Sequence, residues 1–261
     1  MTVSRPFPRR QRSESATRTP AADRLTTGPH GWTSWVTLAA MVAPACFFTV
    51  MMVLGFVTPG YDWVSRIGSE LSLGLLGWIM IANFIALGVV ELALAAALGR
   101  TIGDRPSGWV ATAAVGLLGA AFVVAGVCVT DPSRLVSGAH TWRGDVHALM
   151  ATVIFLIATP IAALAIARRL RRQRRFARYS VLTAVGTPAL LVATFGNESL
   201  LGLAERIVIA VVLAWLTSLA LQLRHGDLAR RWPKAAQAPG RHPSPSAICA
   251  VADSLDRLIP A

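Results

Sequence analysis

Seven polar side chains stand where apolar blocks of this sequence begin or end: Asp62, Ser69, Glu70, Asp131, His147, Glu205 and Arg206. Carboxylates beside a histidine can bind a divalent cation such as zinc, or work as general acid and base. Carboxylates beside an arginine and a serine can instead hold a lipid headgroup or a small solute. The spacing does not favour chemistry. His140 and His147 are seven residues apart with Gly144 between them, and no HExxH motif occurs. A phosphate-cradling Gly-rich loop with lysine, a dinucleotide fingerprint and a Ser-His-Asp motif are also missing from the sequence. No metal or other cofactor is therefore expected. The structural alternative for the same residues is helix caps, an interfacial salt bridge such as Glu70 with Arg206, and loop hydrogen bonds. Ser69-Glu70 is placed to cap the helix that follows, where a carboxylate is favourable.

Two further polar residues lie inside an apolar block. Asn83 and Glu91 are eight positions apart, so both fall near one face of a helix. A charge at the centre of a membrane helix costs ~2.5–3.5 kcal/mol on insertion scales, so Glu91 is expected to face the bundle. A polar path from the seven outer residues through Asn83 to Glu91 would suit a proton- or solute-coupled transporter. The plainer alternative is one tolerated polar residue satisfied by a neighbouring helix. No inverted repeat is visible in the two halves of the chain, which weighs against transport.

The elements that position these residues follow from composition. The chain has 261 residues, 54% hydrophobic and only 15% charged, with a mean hydropathy of +0.55. Soluble domains carry about 25% charged residues. The apolar residues come in six blocks of about the length that crosses a bilayer, ~20 residues. They start near Trp35, Leu75, Trp109, Ala148, Tyr179 and Ile207. Backbone polar groups in lipid must be satisfied within the chain, so each block is expected to be a helix. Gly116 and Ala120 form a small-xxx-small pair on the third block, and Gly88 and Gly126 are further small positions for close packing. The expected fold is an all-α, six-helix membrane bundle over 32–223, between a disordered basic tail, 1–31, and a flexible tail, 224–261. No cleaved export signal is expected, because the first apolar block is too long for one. Cys46, Cys128 and Cys249 show neither disulfide-framework nor metal spacing and read as small apolar side chains.

Charge sets the expected orientation. All but four of the 25 Lys and Arg residues fall in the N-terminal tail, the 99–108 turn, the 168–178 loop and the C-terminal tail. The four exceptions are Arg66, Arg134, Arg143 and Arg206. The positive-inside rule then places both termini in the cytoplasm and the seven polar residues on the outer side of the plasma membrane. The run Arg168, Arg169, Arg171, Arg172, Arg174, Arg175 and Arg178 is expected to hold anionic inner-leaflet lipids, at about 1 kcal/mol for each arginine near the surface. Nucleic acid is not an expected partner.

Several of these residues carry a resemblance. The Tyr61-Asp62 turn, Ile67-x-Ser69-Glu70-Leu71, Gly74, Gly77-Trp78 with Asn83-Phe84, Gly126 with Thr130-Asp131-Pro132, His147 and Gly202…Glu205-Arg206 together resemble the bacterial integral-membrane family of domain of unknown function 998 (DUF998). The resemblance runs from about Val36 to Leu223. It implies about six helices and no established activity. Glu91, the arginine-rich loop and both tails lie outside the matching features. The leading expectation is a non-enzymatic membrane protein that binds lipid or a small hydrophobic solute at the outer polar cluster. The alternatives are a metal-dependent membrane hydrolase and a secondary transporter that uses Glu91.

Overall fold

The computed structural model describes residues 30–132, 140–171, 173–194 and 198–225. The expected tails, except for their innermost residues, lie outside the described residues, as do Arg134, Arg172 and Cys249. All regular structure among the described residues is helical. The helices are α1 (His30–Val57), α2 (Gly77–Ile102), α3 (Pro106–Val127), α4 (Trp142–Thr152), α5 (Thr159–Arg169), α6 (Arg174–Thr194) and α7 (Leu201–Arg224). A six-residue π-helical stretch, Val153–Ala158, joins α4 to α5, so Trp142–Arg169 is one continuous span. Pro160 accounts for the irregularity. It has no N–H to give the carbonyl four residues earlier, and the Thr159 N–H reaches back five residues to the Ile154 carbonyl.

Among the described residues, six helical segments are long and apolar enough to cross a membrane. Their most hydrophobic windows are only 22–56% buried within the chain, and Leu75, Trp35, Leu182 and Val192 project outward. A chain with that much apolar surface facing away from its own core is a multi-pass membrane protein. Each span packs on its neighbours in sequence, and α7 closes the ring by returning to α1. Exposed tryptophans lie near both ends of the bundle, Trp35 and Trp109 at one rim and Trp63, Trp78 and Trp142 at the other, as interfacial anchors do.

The first rim is basic and cross-tied. Arg224 donates to the Ser34 carbonyl, the Arg100 guanidinium lies over the Trp32 ring, and Arg169 pairs with Asp104 at 2.7 Å. The start of α1 and the end of α7 therefore share one rim, as an even number of spans requires. The seven polar residues read from the sequence lie toward the opposite rim.

Helix ends depart from expectation in informative ways. The fourth span begins six residues early, because Thr141 caps α4 by accepting from the Gly144 N–H, so Trp142–His147 is helix and His147 is buried within it. Ser69 and Glu70 do not cap α2. They sit in a short 3-10 turn, Gly68–Ser72, and α2 starts only at Gly77 without a side-chain cap. Cys128 is buried as expected, whereas Cys46 faces outward on α1.

Helices α2 and α3 approach backbone to backbone at Gly88 and Gly119. A Cβ on Gly88 would stand 2.6 Å from the Gly119 oxygen and 2.8 Å from the Val123 nitrogen. At Gly116 the nearest neighbour would be the Ala95 Cβ, at an ordinary 3.7 Å. The small pair that matters is thus Gly88 on α2 with Gly119 on α3, which lies between Gly116 and Ala120 in sequence. Gly88→Ala is expected to destabilise the bundle by about 1–3 kcal/mol, because backbone cannot yield to the new methyl. Gly116→Ala is expected to be close to neutral. Thermal unfolding of both variants in detergent checks the pair, and equal midpoints would place the close approach elsewhere.

Candidate functional site

The loop between α1 and α2 folds back over the start of α7. Tyr61 is the organising side chain. Its hydroxyl donates to the Ile67 carbonyl at 2.8 Å and accepts from Arg206 Nη2 at 2.6 Å. Arg206 Nη1 donates to the Arg66 carbonyl at 3.0 Å and to the Gly202 carbonyl at 2.8 Å. One buried guanidinium therefore ties the first turns of α7 to the loop backbone. Burial pushes the Tyr61 phenol up to about 12, against the opposing pull of the Arg206 charge. The hydroxyl keeps its proton through the neutral range and remains a donor. Gly202 allows the contact: a Cβ there would meet the Arg66 carbonyl oxygen at 2.3 Å.

Two carboxylates complete the clamp. Glu70 Oε2 accepts from Arg66 Nε at 2.6 Å, four residues earlier. The expected cation for Glu70 was Arg206, but Arg206 directs its terminal nitrogens to Tyr61 and two carbonyls. Glu205 Oε2 accepts from the Gly68 N–H at 2.5 Å. Leu203 N–H donates to the Val64 carbonyl, so loop and helix are also joined through backbone. Tyr61 and Arg66 are the members that reading for ligand chemistry passes over. The available signal was the four-residue spacing of Arg66 and Glu70 in a short turn.

Beneath the clamp lies a small cavity of about 20 Å³. Its polar walls are Ser69, His147 and Glu205, and its apolar walls include Phe47, Phe84 and Phe122. The three rings pack edge to face or tilted at 5.1–6.2 Å between centroids, and Phe84 meets the His147 ring edge-on at 5.8 Å. His147 Nδ1 stands 2.9 Å from the carbonyl oxygens of both Ala125 and Cys128. Carbonyls only accept, so Nδ1 carries the proton, and in the neutral ring Nε2 is the acceptor. This contact also fixes α4 to the end of α3.

Asp62 and Asp131 do not join the cavity. Asp62 holds its own turn, accepting from Val64 N–H and Ser65 Oγ, and those donors keep its carboxyl below the ordinary aspartate value. Asp131 accepts from the Thr141 N–H at 2.8 Å and the Thr141 hydroxyl at 2.7 Å, which lowers it likewise. It braces the residue that caps α4. Among the described residues, no three His, Cys, Asp or Glu side chains stand close enough together to hold a metal ion. The metal-dependent alternative thus lacks a donor set there.

The two intramembrane residues are not connected. The Asn83 amide donates to the Phe47 carbonyl at 3.0 Å, tying α2 to α1. Glu91 is fully buried, and neither carboxyl oxygen has a hydrogen-bond partner. Among the described residues no neighbouring helix satisfies it, and no hydrogen-bonded path reaches it from Asn83.

The family model described as "Protein of unknown function (DUF998)" matches residues 41–222, well over half of the chain. The chain belongs to the DUF998 family. No curated protein and no solved structure gives a match. The DUF998 match takes in the 58–76 loop, His147 and Glu205-Arg206, so the clamp and the cavity lie within the family domain. It also takes in Glu91 and the arginine-rich turn, which the resemblance left outside its matching features.

Proposed function

We propose that this DUF998 protein is a non-enzymatic protein of the plasma membrane. In this reading its outer face binds a lipid headgroup or a small hydrophobic solute beneath the 58–76 loop, and both termini are cytoplasmic. One observation carries the site: Ser69, His147 and Glu205, from three separate segments, meet at one small, aromatic-walled cavity. Apolar walls with a few convergent polar groups are the usual form of a ligand site. A volume of about 20 Å³ has room for about one water, so a larger guest requires the loop to lift. The Tyr61–Arg206 contact is then the latch that opening must break. The orientation is supported by the basic rim, since arginines at membrane-helix ends favour the cytoplasmic side. Reporter fusions after Ser107 and after Arg143 are expected to report inside and outside respectively.

The binding reading is tested by mass spectrometry of molecules retained after gentle detergent extraction. The expected result is a distinct retained species in the unmodified chain. It is expected to fall about tenfold in Ser69→Ala/Glu205→Gln, the loss of one or two ligand hydrogen bonds to polar groups. Asp131→Asn, outside the cavity, is expected to leave it unaltered. Retention that is the same in all three proteins would remove the site.

A further inference from the structure

A second cavity, far larger than the outer one, lies at the opposite end of the bundle. It is an open groove of about 810 Å³ at the basic rim, between the end of α5 and the start of α6. Four arginines line it: Arg168 and Arg171 follow one helix down to the rim, and Arg174 and Arg178 lead back along the other. All four are exposed, and none has a carboxylate partner among the described residues. Arg169, on another face of the same turn, is occupied by Asp104. Below the guanidinium groups the wall turns apolar, with Leu164 and Leu182 exposed toward the surroundings of the bundle.

This is an amphipathic groove with its charge at the rim and its oil toward the middle of the spans. The geometry points to a built-in site for one anionic phospholipid of the leaflet at the basic rim, its phosphate among Arg168, Arg171, Arg174 and Arg178 and an acyl chain against Leu164 and Leu182. A guanidinium recognises phosphate oxygens through paired N–H donors, and Arg is the preferred residue for that contact. Basic pockets between membrane helices are a known form of anionic headgroup site. Soluble phosphate would use the arginines but would have no need of the apolar wall. A diffuse surface field would use all the arginines of the rim alike. The inference is thus narrower than attraction of the whole basic loop to the membrane surface, and it is independent of the outer cavity.

The test uses the full chain in mild detergent, titrated separately with phosphatidylglycerol and phosphatidylcholine, with lipid adducts counted by native mass spectrometry. One saturable phosphatidylglycerol adduct is expected, at least about tenfold tighter than any phosphatidylcholine adduct. R171Q/R174Q is expected to weaken it by about tenfold or more. R100Q/R175Q removes the same charge from the same rim outside the groove, and is expected to change it less than about twofold. Leu182→Trp, which leaves the charge alone and obstructs the apolar wall, is also expected to weaken the adduct. Circular dichroism confirms the fold of each variant, and R178Q alone serves where the double variant fails to fold. Equal losses in the two double variants would overturn the site. So would equal affinity for phosphatidylcholine, or full displacement of the lipid by inorganic phosphate.

Discussion

Arg206→Met is expected to cost about 3–5 kcal/mol and to free the loop between α1 and α2, because it removes one partner from a buried, charged network. Arg206 is 3% exposed, and its terminal nitrogens serve three acceptors. Methionine fills much of the same space and serves none of them. The Tyr61 hydroxyl and the Arg66 and Gly202 carbonyls each then lose a donor, and Glu205 keeps its place beside them with the adjacent positive charge gone. Two measurements read this out. The thermal midpoint in detergent falls, and trypsin gains access to the bond after Arg66, whose carbonyl the clamp holds in the intact protein. Arg206→Lys separates charge from geometry: one ammonium cannot span the three acceptors, so it is expected to recover only part of the loss. Tyr61 adds a pH signature. Its folded value of about 12 lies above the ordinary 10.0, so its contribution is complete below pH 10 and is lost as pH rises toward 12. A wild-type and an Arg206→Met protein with the same midpoint and the same cleavage at Arg66 would dismiss the clamp.

The parts of this molecule visible in the sequence are those set by solvent. Six apolar blocks give six spans because lipid demands a minimum length and an internally satisfied backbone, and both requirements are local. The start of the fourth span was hidden for the opposite reason. Trp142-Arg143-Gly144-Asp145 is polar, and its helix depends on the Thr141 cap and on Asp131, ten residues away, holding that cap. The site divides in the same way. Ser69, His147 and Glu205 could be nominated as polar residues near one rim, but nothing in their spacing shows that they share a cavity from which Asp62 and Asp131 are left out. Tyr61 reads as an interfacial aromatic until Arg206, 145 positions later, is placed against its hydroxyl. Gly119 is likewise one glycine among many until Gly88 is laid across it.

Glu91 supplies the second large effect, and its sign is the reverse. Both of its oxygens are buried without a partner, on the α2 face that also presents Leu87, Leu94 and Leu98 to the core. An unpaired buried polar group costs about 1–3 kcal/mol, and replacing it with an apolar side chain of similar volume recovers that cost. Glu91→Leu is therefore expected to raise the thermal midpoint, by about 2 kcal/mol of stability. Glu91→Gln keeps the shape and the unmet polar atoms, and is expected to move it little. A lower midpoint for Glu91→Leu would mean that the carboxyl has a stabilising partner after all. A carboxyl buried at such a cost invites the transport reading, which makes a different demand: proton flux in vesicles must be present in the unmodified chain and lost in Glu91→Gln. Flux unchanged by that substitution would discard the role. The geometry already sets a condition on it, because Asn83 is committed to the Phe47 carbonyl and Leu87 is buried between the two positions. In the transport reading a proton route from the outer cavity to Glu91 would require these contacts between α1 and α2 to rearrange. In that reading alone, flux is expected to rise in Arg206→Met, the variant that frees the outer loop, and a flux indifferent to both substitutions would leave Glu91 with no part in transport.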